Sequence, residues 1–155
     1  MKTFTDNAGR SWEISVTVDA VKRVRSLLDV DLMEAAGGKL IQELSDNPVL
    51  LCDVIYCIVK PQADEKEITD VDFGKAMAGD AIDQATAAFL EDLVNFFPSR
   101  KREMLQKVLV KLKNLEAIAA EVVNKRLDSP ELEEKMRTEL ESIGSSSGSL
   151  QGSPV

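Results

Sequence analysis

Histidine is absent from all 155 residues. That removes the usual general base, the commonest metal ligand and every histidine-dependent nucleophilic triad at once. Cysteine is scarce. Cys52 and Cys57 lie five apart in an apolar stretch, a spacing that puts them on different faces of a helix and argues against a disulfide. Two thiols with no histidine and no second cysteine pair do not make a zinc site, so both read as core residues and no cofactor or metal is expected. No apolar run approaches the roughly 20 residues of a membrane span, and the N-terminus, with Asp6 and Arg10 so early, lacks the apolar centre of a signal peptide. The expected location is cytoplasmic, with no membrane partner. A P-loop is missing too, since Gly37-Gly38 has neither a Gly-Lys-Ser/Thr sequence nor a strand ahead of it. The formal charge of -8 argues against nucleic acid as a principal partner, because phosphate neutralisation needs a basic face. No internal repeat is visible.

What is there reads as a mainly α (α+β) fold: one N-terminal β-hairpin, then a bundle of about six helices in a single domain over residues 1–143, then a flexible Gly/Ser tail over 144–155. The apolar fraction of 44% is enough for one core. Phe4 precedes the turn Asp6-Asn7-Ala8-Gly9-Arg10, and Trp12, Ile14, Val16 and Val18 alternate with polar residues at strand period. Such a hairpin is unstable alone, so helices or another chain must cover its apolar face. Asp19 is the expected N-cap of a helix with Val21, Val24, Leu27 and Leu28 on one side and Lys22, Arg23 and Arg25 on its wet side. A helix over Leu32–Leu44 is weakened by Gly37-Gly38. Asn47-Pro48 starts a buried helix over Val49–Val59 that Lys60-Pro61 ends, and a charged loop follows over Gln62–Ile68. Thr69-Asp70-Val71-Asp72 is a capping-box variant ahead of Phe73 and Met77. The helix after Gly79-Asp80 carries Ile82, Ala85, Phe89, Leu93, Phe96 and Phe97 at helical spacing. Pro98-Ser99 starts the next, and Ser129-Pro130 starts a last short helix with Leu132, Met136, Leu140 and Ile143 on one face.

The acidic pairs Asp64/Glu65, Asp70/Asp72 and Glu133/Glu134 have no distinctive spacing and read as helix-start charges or solvated surface. Two features point to partners instead. Leu105, Val108, Leu112, Leu115, Ala119 and Val122 step by three and four, a heptad-like seam that suits another helix, whether of this chain or of a partner. Left unfilled internally, it would expose an apolar surface of the kind that marks an interaction site. Arg100, Lys101 and Arg102 place a basic run at a helix start, against the macrodipole, and so offer a contact for an acidic segment; the bland alternative is a solvated cluster.

Two stretches carry a family resemblance: Lys2 to Trp12 running into Val18-Asp19-Ala20-Val21-Lys22-Arg23-Val24, and Lys60-Pro61-Gln62-Ala63-Asp64 through Thr69-Asp70-Val71-Asp72-Phe73-Gly74-Lys75-Ala76-Met77. With the paired aromatics Phe96-Phe97, this layout resembles the tail assembly chaperones of long-tailed bacteriophages and prophage-like gene clusters. The resemblance implies a non-enzymatic protein that binds and solubilises the helical tape measure protein, recruits the tail tube protein and is not retained in the mature particle; self-association into a homo-oligomer is a further expectation. It also implies a longer form made by frameshifting, for which the Gly/Ser tail would be a linker. A structural tail completion or connector protein using the hairpin edge for strand addition, and a small histidine-free enzyme, are the alternatives.

Overall fold

A computed structural model describes residues 2–151, with side chains described to residue 144. Strands β1 (Lys2–Thr5) and β2 (Ser11–Ile14) form the antiparallel hairpin, with Phe4 opposite Trp12. Helices follow: α1 (Val18–Leu28), a 3₁₀ segment (Leu32–Gly37), α2 (Lys39–Asp46), α3 (Pro48–Glu65), α4 (Asp70–Lys75), α5 (Asp80–Phe96), α6 (Ser99–Leu127) and α7 (Pro130–Gln151). The architecture is the expected one, an N-terminal hairpin followed by helices. The chain divides into two compact units, Met1–Leu112 and Lys113–Val155, where a single domain was expected. Among the described residues no helix is long and apolar enough to cross a membrane.

In the first unit the hairpin is built in between helices. Phe4, Trp12, Ile14 and Val16 are buried, while Thr3, Thr5, Ser11 and Glu13 are exposed. The alternation stops there: Val18 is the first residue of α1 and is exposed. Thr17, not Asp19, caps that helix, its hydroxyl accepting from Ala20 N at 3.2 Å. Leu27, expected on the covered side, is exposed. β1 packs against α5 and β2 against α3. The outer edge of β2 is occupied: Gln62 Nε2 donates to Glu13 O at 2.7 Å, Glu13 N donates to Gln62 Oε1 at 2.9 Å, and Lys66 Nζ donates to Ser11 O at 2.7 Å. Such an edge does not accept a further strand without losing those bonds. The apolar face of the hairpin is therefore part of the core, and its β2 edge is not free for docking.

Asp6 organises the turn. Its side chain is fully buried and accepts from Ala8 N, Arg10 N, Arg10 Nε and Trp12 Nε1 at 2.9–3.0 Å. Gly9 takes the positive φ of 80° that closes the turn. The turn is then pinned to the α4 region. Asn7 N donates to Ala76 O at 2.9 Å, Asn7 Nδ2 to Ala78 O at 3.1 Å, and Arg10 Nη2 to Asp72 O at 3.2 Å. Trp12 meets Phe73 edge to face at 5.4 Å, and Lys66 Nζ lies 4.5 Å from the Trp12 ring centre. The two stretches that carry the family resemblance thus dock directly on each other.

Asn47 caps α3 as expected, accepting from Leu50 N at 3.1 Å with Pro48 at the first helical position. Pro61 does not end the helix, which runs on to Glu65 through the expected loop. The reason lies in α1. A proline at 61 donates no N–H to Cys57 O, the acceptor one turn back. Arg23 Nη1 donates to that carbonyl at 3.0 Å and to Ile58 O at 3.2 Å, so the freed acceptor is satisfied from outside the helix. Arg23, read from the sequence as part of a wet face, is a bridge between two helices.

The 32–44 segment is split. Its first part is 3₁₀, and Gly38, with φ of 87°, turns the chain into α2. Gly38 is close to α6, since a Cβ there would stand 3.3 Å from Val108. Thr69 caps α4 by accepting from Asp72 N at 3.1 Å, as its motif predicts. On α5 the buried Asp92 accepts from Val16 N at 2.6 Å, tying the chain between β2 and α1 to the helix. α7 continues past Gly144 to Gln151, so helical backbone extends into the expected Gly/Ser tail; residues 152–155 lie outside the described residues.

Candidate partner-binding surface

α6 is a long helix because nothing interrupts it. Glycine and proline are absent from Ser99 to Leu127, and Leu, Lys, Glu, Ala and Arg, all good helix formers, fill most of it. Its apolar stripe behaves differently in its two halves. Leu105 is fully buried, and Leu109 and Leu112 are half-buried against the core of the first unit. Val108 is half-buried beside Gly38. This part of the predicted seam is filled by its own domain, and Leu105 offers nothing to a partner.

From residue 113 onward the situation reverses. Every described side chain of residues 113–144 is exposed except Ser129 and Leu132, which are half-buried. Leu115 is 60% exposed, Ile118 57%, Val122 53% and, on α7, Leu140 67%, values at which these side chains contribute little to a core. Met136 and Ile143 are exposed beside Leu140. Leu115, Ile118 and Val122 recur at helical spacing, as do Leu132, Met136, Leu140 and Ile143, so each helix presents a continuous apolar stripe. Around the turn between them, Ser129 Oγ accepts from Leu132 N at 3.3 Å and starts α7. Val122, Val123, Leu127 and Leu132 there line an open cleft of about 800 Å³ with Lys125, Arg126 and Lys135 at its margins.

The basic run divides similarly. Arg102 Nε donates to Phe97 O at 3.2 Å and helps to close the α5–α6 corner. Arg100 and Lys101 are exposed. At that corner Phe97 is fully buried and meets Phe96 edge to face at 5.5 Å.

The other candidates have structural explanations. Asp64 takes Lys60 Nζ at 2.9 and 3.0 Å. Asp70 and Asp72 sit in the first turn of α4. Burial raises the Asp53 carboxyl above its ordinary range, with the nearby charge of Asp70 adding to it. Burial likewise raises both thiols. Cys57 is buried, Cys52 half-buried, and both are free. Among the described residues no three acidic or thiol side chains group as metal ligands do.

Sequence reasoning located the seam but not the half of it that is open. The signal was present. Among the described residues, the helix that follows α6 carries an apolar stripe of its own that also needs cover. Comparison with models of known families, with characterised proteins and with solved structures gives no match to this chain.

Proposed function

We propose that this chain is a non-enzymatic binding protein that covers the apolar face of a helical client. The observation that carries the reading is the exposed stripe of residues 115–143. Fully burying an aliphatic side chain contributes roughly 1.5–3 kcal/mol, so seating Leu115, Ile118, Val122 and Leu140 against a partner contributes roughly 6–12 kcal/mol before the costs of association. A helix laid along such a stripe is the common solution. Joined to the family resemblance, this makes the chain a tail assembly chaperone of the phage type. It acts in the cytoplasm, holds the tape measure protein soluble, recruits the tail tube protein and leaves before the particle matures. The docking of the two resembling stretches on each other supports treating them as one structural signature. A connector that adds a strand at the hairpin has less support, because Gln62 and Lys66 already bond the outer edge of β2.

The test is co-expression of the tape measure protein from the same gene cluster with the intact chain and with the double variant Leu115→Asp, Val122→Asp. Both positions are exposed, so the variant keeps its melting temperature to within a few degrees. The intact chain yields soluble tape measure protein in complex, and the variant lowers that yield about tenfold or more, as two charges in an apolar contact demand. Equal recovery with both would remove the stripe as the contact. Failure of the intact chain to keep the tape measure protein soluble would remove the chaperone reading itself.

A further inference from the structure

The first half of α6 carries a second surface, distinct from the apolar stripe. Over residues 99–112, Arg100, Lys101, Arg102, Lys107 and Lys111 stand against Glu103 alone, a net +4 in a chain of -8. Arg100, Lys107 and Lys111 are spaced seven and four apart, so they form one row along the helix, about 17 Å long at 1.5 Å per residue. All three are exposed, as is Lys101. None makes an ion pair among the described residues. To either side of the row lie Met104 and Val110, 56% and 58% exposed. Arg100 and Lys101, in the first turn of α6, also oppose the macrodipole, so their placement there is unfavourable for the helix itself.

We infer that this face binds an acidic amphipathic helix of a partner protein. The occupant must be anionic to match the row, and it must bring apolar groups to meet Met104 and Val110. An amphipathic helix with carboxylates at four- and seven-residue spacing meets both conditions within the 17 Å available. A nucleic-acid duplex or an anionic membrane extends well beyond the row and meets the rest of the first unit, where residues 1–98 carry a formal charge of -9. The short acidic helix avoids that repulsion. This surface belongs to the first unit and stands independently of the chaperone reading.

The test uses the full chain and a fluorescein-labelled synthetic peptide of about 15 residues, an amphipathic Leu/Glu helix, read by fluorescence anisotropy. At about 20 mM NaCl the peptide binds with a micromolar Kd, and binding weakens about tenfold or more by 300 mM, as a screened charge contact must. The variant Lys107→Glu, Lys111→Glu, whose helix is intact by circular dichroism, weakens binding at least about tenfold at low salt. Replacing every Glu of the peptide by Lys removes the Kd advantage of the intact chain over the charge-reversed variant. A Kd unchanged by the charge reversal, no binding up to about 200 µM, or tighter binding to a 15-base-pair DNA duplex or to phosphatidylserine vesicles would each overturn the proposal.

Discussion

Asp6 shows how one carboxylate organises a hairpin. Burial alone would raise its carboxyl, but the hydrogen bonds from Trp12 and Arg10, with the Arg10 charge, outweigh this and hold it below the usual carboxylate range. A folded-state value below the unfolded one gives stability that is complete above the unfolded value of about 4 and is lost as pH falls through the folded value. Asp6→Asn should therefore cost about 2–4 kcal/mol at pH 7 by urea denaturation, since an amide nitrogen would face donors. The cost should shrink as pH drops below about 4, where the unfolded wild-type chain takes up a proton that the folded carboxylate resists. A variant equally destabilised at pH 7 and pH 2.5 would contradict this assignment. Asp53 has the opposite sign. Its raised carboxyl disfavours the folded state at neutral pH, so Asp53→Asn should raise the urea midpoint at pH 7 and leave it unchanged at pH 3. Neither effect was legible in the sequence. Asp6 read only as a turn residue, because its partners Arg10 and Trp12 converge on it through the turn's geometry.

At the scale of elements, most sequence signals that rest on a local mechanism held, although the cap of α1 is Thr17, two residues before the expected Asp19. Asn47-Pro48 and Thr69 are where their capping chemistry places them, and a helix follows Gly79 as its punctuation predicts. The other signals that failed are those a tertiary contact overrides. Pro61 is a sound local terminator, and only Arg23, thirty-eight positions earlier in the numbering, lets α3 continue. The pair predicts a coupling. Arg23→Met should destabilise by about 1–3 kcal/mol by stranding Cys57 O, and much less in a Pro61→Ala background, where residue 61 supplies the missing N–H. A double-mutant cycle in urea measures this directly, and additive losses would show that the guanidinium acts elsewhere. The seam on α6 was likewise legible as a pattern. Which half of it is filled is set by tertiary approaches such as that of Gly38 to Val108, and no local rule encodes them.

For the whole molecule, stability should be distributed as unevenly as burial. The first unit holds the core around Trp12, Phe73, Phe89 and Phe97, while residues 113–144 bury almost nothing. Helical hydrogen bonds without packing are marginal in water. Native-state hydrogen exchange should thus find the amides of residues 113–144 exchanging orders of magnitude faster than those of α3 and α5. Binding of a client to the stripe should slow them. Uniform protection along the free chain would mean that this stretch is supported by a contact of its own.

The hairpin has a consequence for synthesis. It leaves the ribosome before its cover does, since Phe89 and Leu93 of the α5 helix that packs on β1 follow some eighty residues later. At about 5–20 residues per second, Phe4, Trp12 and Ile14 wait about 4–16 s before that cover is translated. For those seconds the hairpin's apolar face is as unsheltered as the exposed stripe of residues 115–143.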